Sequence, residues 1–231
     1  MGHNFEIVKS CPQTEARAGV LSTPHGAVPT PLFLPVGSQG AVKTLTPEEL
    51  KAIGVTMILG NTYHLYLRPG IEIIERLRGL HRFISWEGPI LTDSGGYQVF
   101  SLASLRQVSD EGVSFRSHID GSEHFFTPEL VIQLQERVGS DIIMTLDECP
   151  PYSNDSRVIR EAMERTHQWA ERCQRNHHHQ GQDLYGIVQG GTFPELRRES
   201  ASFLTSLGFP GYAIGGLSLG EPKELTLTIL E

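Results

Sequence analysis

The sequence predicts a mixed α/β fold in which parallel strands alternate with helices, and two observations predict it. Short apolar segments that suit buried strands recur along the chain, at 32–37, 56–61, 89–93, 141–148, 184–191 and 211–216. Amphipathic stretches that suit helices separate them, at 46–53, 69–80, 127–138, 155–176, 193–207 and 221–231. Apolar strands that alternate with helices are typical of a parallel sheet whose outer face is covered.

Two of the predicted helices begin at recognisable capping sequences. Thr46-Pro47-Glu48 and Thr127-Pro128-Glu129 each place a hydroxyl before a proline at the first helical position, with an acid in the first turn. The hydroxyl accepts a hydrogen bond from an otherwise free amide of that turn, and the acid complements the helix dipole. These signals support the alternation of strands and helices.

Two segments depart from this alternation. Residues 1–36 contain short strands broken by the turn at 23–26, which predicts a small antiparallel N-terminal β cap followed by the first strand of the main sheet. Residues 106–126 predict a hairpin inserted after the third strand, with Asp120-Gly121 at its turn. We therefore expect residues 1–231 to form one domain that carries a cap and an insertion.

Polar residues and glycines follow four successive strands at their carboxyl ends, namely Asp93, Asp147, Gln189 and Gly215-Gly216. Six βα units fit either an open doubly wound sheet or a (β/α)8 barrel. In a barrel these strand ends meet at one mouth, whereas in an open sheet only those near the switch point meet. The pattern favours an incomplete TIM barrel with about six of its eight βα units.

Each of these residues also has a purely structural interpretation. Asp93 could cap the next helix, Asp147 could be a loop acid, and Tyr97 could be a core residue. Gln189 and Gly215-Gly216 could belong to plain turns. Adjacent residues on a strand point to opposite faces, so we expect only one of the neighbouring acids at 147 and 148 to reach the mouth.

Taken together, the residue types suit a flat heterocycle with several hydrogen-bonding groups. A carboxylate accepts from N1–H and the exocyclic amine of guanine, while the Gln189 amide and glycine N–H groups donate to O6. Tyr97 can stack on the ring. The exposed backbone amides of Ser94-Gly95-Gly96 could form a concavity that binds an anion or a carbonyl.

Composition excludes several classes of protein. No apolar run reaches the ~18 residues that a membrane-spanning helix needs, and residues 1–10 lack the apolar stretch of a secretory signal.

The cysteines Cys11, Cys149 and Cys173 form no CxxC or CxC pair, so we expect a reducing cytoplasm, no disulfide framework and no metal in this chain. Residues 177–179, all histidine, are expected to form a solvated helix end.

The sequence resembles the bacterial tRNA-guanine transglycosylases. The runs that carry the resemblance are PVGSQGAVKTLTPEEL (35–50), GNTYHLYLRPG (60–70), TDSGGYQVF (92–100), LDECPPY (146–152), YGIVQGG (185–191) and AIGGLSLGE (213–221). The resemblance implies exchange of guanine at the wobble position of tRNAs with GUN-type anticodons for a 7-deazaguanine (preQ1-type) base in queuosine biosynthesis. It implies a double displacement through a covalent enzyme–tRNA intermediate.

The resemblance also implies roles for individual residues. Asp93 would be the catalytic acid/base, Asp147 would hold N1 and the amine, and Gln189 and Gly216 would contact O6. Tyr97 would be the stacking ring. The remaining residues expected to line the base site are Ser94, Gly95, Gly96, Cys149, Gly215 and Leu217.

Some parts of the family's machinery are not found in residues 1–231. These are an aspartate nucleophile in a DCV-type motif, a zinc site made of a CxCxxC run plus a later histidine, and basic stretches that grip tRNA. The net charge of −8 likewise disfavours nucleic-acid binding by this stretch alone. We therefore expect an inactive fragment of a zinc-containing, homodimeric enzyme. The alternatives are a non-catalytic partner subunit of the same family and another barrel enzyme with paired carboxylates, such as a glycoside hydrolase.

Overall fold

The computed structural model describes residues 4–102 and 105–231, so residues 1–3 of the predicted cap lie outside the described part. The chain divides into two compact units. The first contains the residues up to Asp93 together with Leu134–Ile143 and His179–Asp183. The second contains Ser94–Gln133, Met144–His178 and Leu184–Glu231.

The strands and helices follow in chain order. The strands are β1 (Asn4–Ser10), β2 (Arg17–Thr23), β3 (Gly26–Thr30), β4 (Val36–Gly37), β5 (Ile58–Asn61), β6 (Ile90–Asp93), β7 (Arg106–Val108), β8 (Val113–Arg116), β9 (Glu123–Phe126), β10 (Ile142–Met144), β11 (Asp183–Val188) and β12 (Gly211–Ile214). The helices are α1 (Pro47–Ala52), α2 (Thr62–Leu67), α3 (Ile71–Arg76), α4 (Leu80–Ile84), α5 (Gly96–Leu102), α6 (Pro128–Val138), α7 (Ser156–Asn176), α8 (Pro194–Ser206) and α9 (Lys223–Leu230).

The six strands expected from the apolar segments form one sheet in the order β12-β11-β10-β6-β5-β4. The registered neighbours are parallel, as in the pairs β5–β6, β6–β10 and β11–β12. The mixed α/β class with a parallel sheet is therefore confirmed. The strands are shorter than the apolar segments predicted, and the first is reduced to Val36–Gly37 because Pro35 has no amide hydrogen for a sheet ladder.

In the first unit, β1, β2 and β3 form an antiparallel sheet that corresponds to the predicted cap. Helix α1 begins at the capping hydroxyl expected at Thr46. This hydroxyl accepts from Glu49 N–H while the Glu49 carboxylate accepts from Thr46 N–H, so the structure adds a full capping box. The single helix predicted at 69–80 is wrong in detail. Only α3 lies wholly within this region, because Gly70 and Gly79, with φ of 102° and 101°, interrupt the helical path before α3 and between α3 and α4. Helix α2 ends before it at Leu67, and α4 begins at Leu80.

In the second unit, the segment 106–126 forms three antiparallel strands, β7-β8-β9, where a two-stranded hairpin was predicted. Asp120-Gly121 does lie in the β8–β9 connection, and the Asp120 carboxylate accepts from Ser122 N–H. The long helix α7 starts at Asp155, whose side chain accepts from Arg157 N–H. Among the described residues, no helix is long and apolar enough to cross a membrane.

Candidate active site

Asp93 ends strand β6 in the first unit, directly opposite Asn61 at the end of β5. One carboxylate oxygen of Asp93 accepts from the Asn61 side-chain amide, and the other accepts from Thr62 N–H at 3.0 Å. The Thr62 hydroxyl donates to the Asp93 carbonyl oxygen. Because Thr62 is the first residue of α2, Asp93 satisfies an amide of that helix, and its carboxylate is held in one orientation by two neighbouring residues.

Three of the predicted site residues meet in the second unit. One Asp147 oxygen accepts from the Gln189 side-chain amide at 2.8 Å, and the other accepts from the Ser94 hydroxyl at 3.3 Å. All three side chains are buried. The Gln189 N–H donates to Ser200 Oγ at 3.1 Å, which fixes the backbone at the end of β11. The result is a buried carboxylate beside a carboxamide, a pair that can exchange its mutual hydrogen bond for bonds to a ligand.

Glycines allow the backbone to approach this pair closely. A Cβ atom at residue 96 would lie 2.6 Å from the Asp147 carbonyl oxygen, and one at residue 215 would lie 2.7 Å from Gln189 Nε2. A Cβ at residue 216, where φ is +67°, would collide with Gln189 Oε1. Ser94, Gly95 and Gly96 are buried rather than exposed, and the binding of an anion or a carbonyl by their amides stays a prediction. The Gly96 N–H donates to Ser94 Oγ, and Gly96 begins helix α5.

Cys149 adds a neutral group to the same cluster. Burial raises the pKa of its thiol to about 12, helped by the negative charge of Asp147, while hydrogen bonds from Gly216 N–H and Gln189 act in the opposite direction. A thiol with this pKa stays protonated at neutral pH. Cys149 is therefore a neutral, weakly nucleophilic neighbour of Asp147.

Arg197, which the sequence pattern did not single out, is 8% exposed although it lies near the start of helix α8. Its guanidinium donates to three carbonyl oxygens, those of Gly191 (2.7 Å), Val188 (3.0 Å) and Gly215 (2.7 Å). It thereby joins the end of β11 to the end of β12. Burial lowers the Arg197 pKa to about 10. Nη2 has no hydrogen-bond partner among the described residues.

The remaining predicted residues have different surroundings. Tyr97 is 52% exposed, so it is not a core residue, and Leu217 is half-buried. Glu148, beside Asp147 in the sequence, forms an ion pair with Arg165. Glu221 holds the loop that carries Leu217, since its carboxylate accepts from the amides of Ser218 and Leu219.

The zinc site implied by the resemblance does not fit the cysteines of this chain. Cys173 is buried between α7 and the end of β10, where its sulfur accepts from Leu146 N–H at 3.4 Å. Cys149 lies in the cluster around Asp147, and Cys11 lies in the other unit. All three cysteines are free thiols. No step of the chemistry is therefore assigned to that metal.

Comparison with known proteins agrees with the resemblance. The profile of a family described as "Queuine tRNA-ribosyltransferase" matches residues 11–231. Curated proteins with that name are 58% identical over 228 residues in Caldanaerobacter subterraneus subsp. tengcongensis, 59% over 231 residues in Pelotomaculum thermopropionicum and 59% over 226 residues in Dehalococcoides mccartyi.

These alignments cover 98%, 100% and 98% of this chain. They cover 61%, 62% and 58% of the relatives, so the chain spans about three-fifths of the length of the proteins it matches. The match includes every strand-end residue of both clusters described above. This chain belongs to the queuine tRNA-ribosyltransferase family.

Proposed function

We propose that this chain carries the base-binding part of a tRNA-guanine transglycosylase. The enzyme exchanges guanine at the wobble position of tRNAs with GUN-type anticodons for a preQ1-type 7-deazaguanine base in queuosine biosynthesis. The observation that carries the proposal is the buried hydrogen bond between Asp147 and Gln189, beside the closely approaching backbone of Gly215 and Gly216. Family membership supports it.

The chemistry of the cluster matches the edge of guanine. The Asp147 carboxylate can accept from N1–H and the exocyclic amine, and the Gln189 amide and Gly216 N–H can donate to O6. A base that lacks one of these groups leaves a buried partner unpaired, which costs about 1–3 kcal/mol. Cys149, Ser94 and Leu217 complete the lining in this proposal. Tyr97, whose ring is half exposed, stacks on the bound base.

Asp93 serves as the acid/base in the proposed reaction. A second aspartate attacks ribose C1′, the bond from C1′ to the base breaks, and the departing base takes a proton. The incoming base gives up its proton and displaces the aspartate. Asn61 and Thr62 orient the Asp93 carboxylate for this role, because each donates to a different oxygen. Proton transfer by such a group contributes about 10²–10⁴-fold.

Residues 1–231 contain no DCV-type motif to supply the nucleophile. We therefore propose that they bind the base but do not transfer it. The six-stranded parallel sheet is, in this proposal, part of a (β/α)8 barrel in a longer, cytoplasmic protein that is homodimeric and contains zinc. A non-catalytic partner subunit is the less favoured alternative, since Asp93, Asp147 and Gln189 are all retained.

The test measures incorporation of labelled guanine into unmodified tRNA with a GUN-type anticodon. It compares residues 1–231 with a chain extended to the length of the relatives. We expect no incorporation by the first protein and turnover by the second. Asp93→Asn in the extended chain should lower the rate by about 10²–10⁴-fold. Turnover by residues 1–231 alone would show that the nucleophile lies within them and that these roles are wrongly assigned.

A further inference from the structure

Two histidines and an aspartate meet in the first unit, outside the proposed base site. His25 lies in the turn between β2 and β3, His81 lies in helix α4, and Asp141 directly precedes β10. The Asp141 side chain is completely buried. The two imidazole rings stack on each other with their centres 3.7 Å apart. The proposed exchange reaction uses none of these residues.

The potential ligand atoms of the three residues all lie within 4.8 Å of one another. His25 Nδ1 is 2.8 Å from one carboxylate oxygen of Asp141, and His81 Nε2 is 3.3 Å from the other. A tetrahedral zinc ion with bonds of about 2.0–2.1 Å holds its ligand atoms roughly 3.3 Å apart. The His81–Asp141 separation equals that value, and the His25–Asp141 separation of 2.8 Å would have to widen by about 0.5 Å to admit an ion.

His81 Nε2 is buried and has no hydrogen-bond partner among the described residues, although it faces a carboxylate oxygen. A buried ring nitrogen without a hydrogen bond is unfavourable, whereas a shared cation would satisfy both the nitrogen and the carboxylate. This unpaired nitrogen distinguishes the cluster from a set of ordinary hydrogen bonds.

We propose that His25, His81 and Asp141 bind a divalent transition-metal ion of the zinc type, with water as a further ligand. Two imidazoles and one carboxylate are a donor set that such ions prefer. Backbone amides already orient the carboxylate, because Ile90 N–H donates to one oxygen at 2.8 Å and His25 N–H to the other at 3.3 Å. His25 is 41% exposed, which gives the ion a path from solvent.

This site differs from the family's zinc site, which the resemblance assigns to a CxCxxC run and a later histidine. The expectation that this chain holds no metal rested on cysteine spacing. Spacing could not reveal the new cluster, since His25 and Asp141 are 116 positions apart. A bound ion would join the β2–β3 turn to helix α4 and the start of β10. Its role would be to stabilise the first unit.

The test uses residues 1–231 without an affinity tag, stripped of metal by a chelator and then dialysed. Zn²⁺ is titrated in competition with a chromophoric chelator, and Co²⁺ is added separately so that its visible absorption reports the coordination geometry. We expect one ion per chain. His25→Asn should weaken zinc binding by at least ~10-fold, because it removes a ligand from an exposed turn with little cost to folding.

A matched control replaces the three histidines that follow the end of α7, His177, His178 and His179, with asparagine. This variant should bind zinc as the unchanged chain does. Zinc should also raise the melting temperature of the unchanged chain but not that of His25→Asn, because an ion that binds the folded state stabilises it. The proposal is overturned if submillimolar zinc does not bind, or if binding survives His25→Asn and disappears in the control.

Discussion

Two aspartates flank strand β10 and show how differently one residue type can be used. Asp141 precedes the strand, and its partners include backbone amides of Ile90 and His25. Asp147 follows the strand, and its partners include the side chains of Gln189 and Ser94. Backbone donors are fixed by the fold, whereas side-chain donors can turn towards a ligand. In α/β folds the carboxyl ends of strands carry function and the opposite ends carry stability.

Removal of Asp141 should have the largest effect on stability. Asp141→Ala leaves the Ile90 amide and the His25 imidazole without their buried acceptor and removes the carboxylate that faces His81, so the free energy of unfolding should fall by about 3–5 kcal/mol. Urea denaturation with a chelator present measures this loss without any contribution from metal. A decrease below about 1 kcal/mol would mean that the buried carboxylate is not structural, and the contrast with Asp147 would fail.

Removal of Asp147 should instead lower the affinity for the base. Asp147→Ala should weaken the binding of a preQ1-type base to residues 1–231 by about 1–3 kcal/mol, because N1–H and the amine lose their acceptor. Calorimetry on the folded variant measures the affinity. An affinity equal to that of the unchanged chain would contradict the assignment of Asp147. Failure of the unchanged chain to bind any base would contradict the proposed function itself.

Two glycines with similar backbone conformations allow the effect of backbone strain to be distinguished from the effect of a changed site geometry. Gly216 and Gly208 have φ of 67° and 72°, but a Cβ at residue 208 meets nothing within 4 Å. Each change to alanine costs about 1–2 kcal/mol in backbone strain. Only Gly216→Ala should also displace Gln189 and reduce base affinity. Equal base affinities in the two variants would show that the close approach at residue 216 does not shape the site.

The smallest effect concerns the reactivity of the three thiols. Partly exposed Cys11 has a lowered pKa because of hydrogen bonds from Thr14 and Gln13, whereas burial raises the pKa values of Cys149 and Cys173 to about 12. The thiolate is the reactive form, so alkylation at mildly alkaline pH should modify Cys11 first. Peptide mass spectrometry gives the order. Early modification of Cys149 would mean that the cluster around Asp147 is open to solvent.

The sequence predicted the regular parts of the fold well. The six apolar segments correspond to the six strands of one parallel sheet. Helices α1, α6, α7 and α8 begin within a residue or two of their expected starts. It missed α2 and α5, because Thr62 follows β5 directly and only Ser94 and Gly95 separate α5 from β6. It also missed β7, which pairs through only three residues and carries no clear apolar alternation.

The candidate site was predictable where residues lie at strand ends and follow the family's motifs. Asp147, Gln189, Gly215 and Gly216 do meet, and their types already indicated hydrogen bonding to a flat ligand. Arg197 was not predictable from the sequence, because an arginine next to Arg198 in a helix is normally solvated. Its burial follows from three carbonyl oxygens that only the folded strands bring together.

The contact between His25 and Asp141 joins a segment that is synthesised early to one that is synthesised late. The β2–β3 turn is synthesised early, but the carboxylate that fixes its histidine is 116 residues further along the chain. At about 5–20 residues per second, the ribosome needs several seconds to reach it. During that interval the cap can form its own antiparallel pairs, and His25 can stack on His81 but has no carboxylate to hold it. A chaperone or a protease would meet this segment in its least protected state before Asp141 is made.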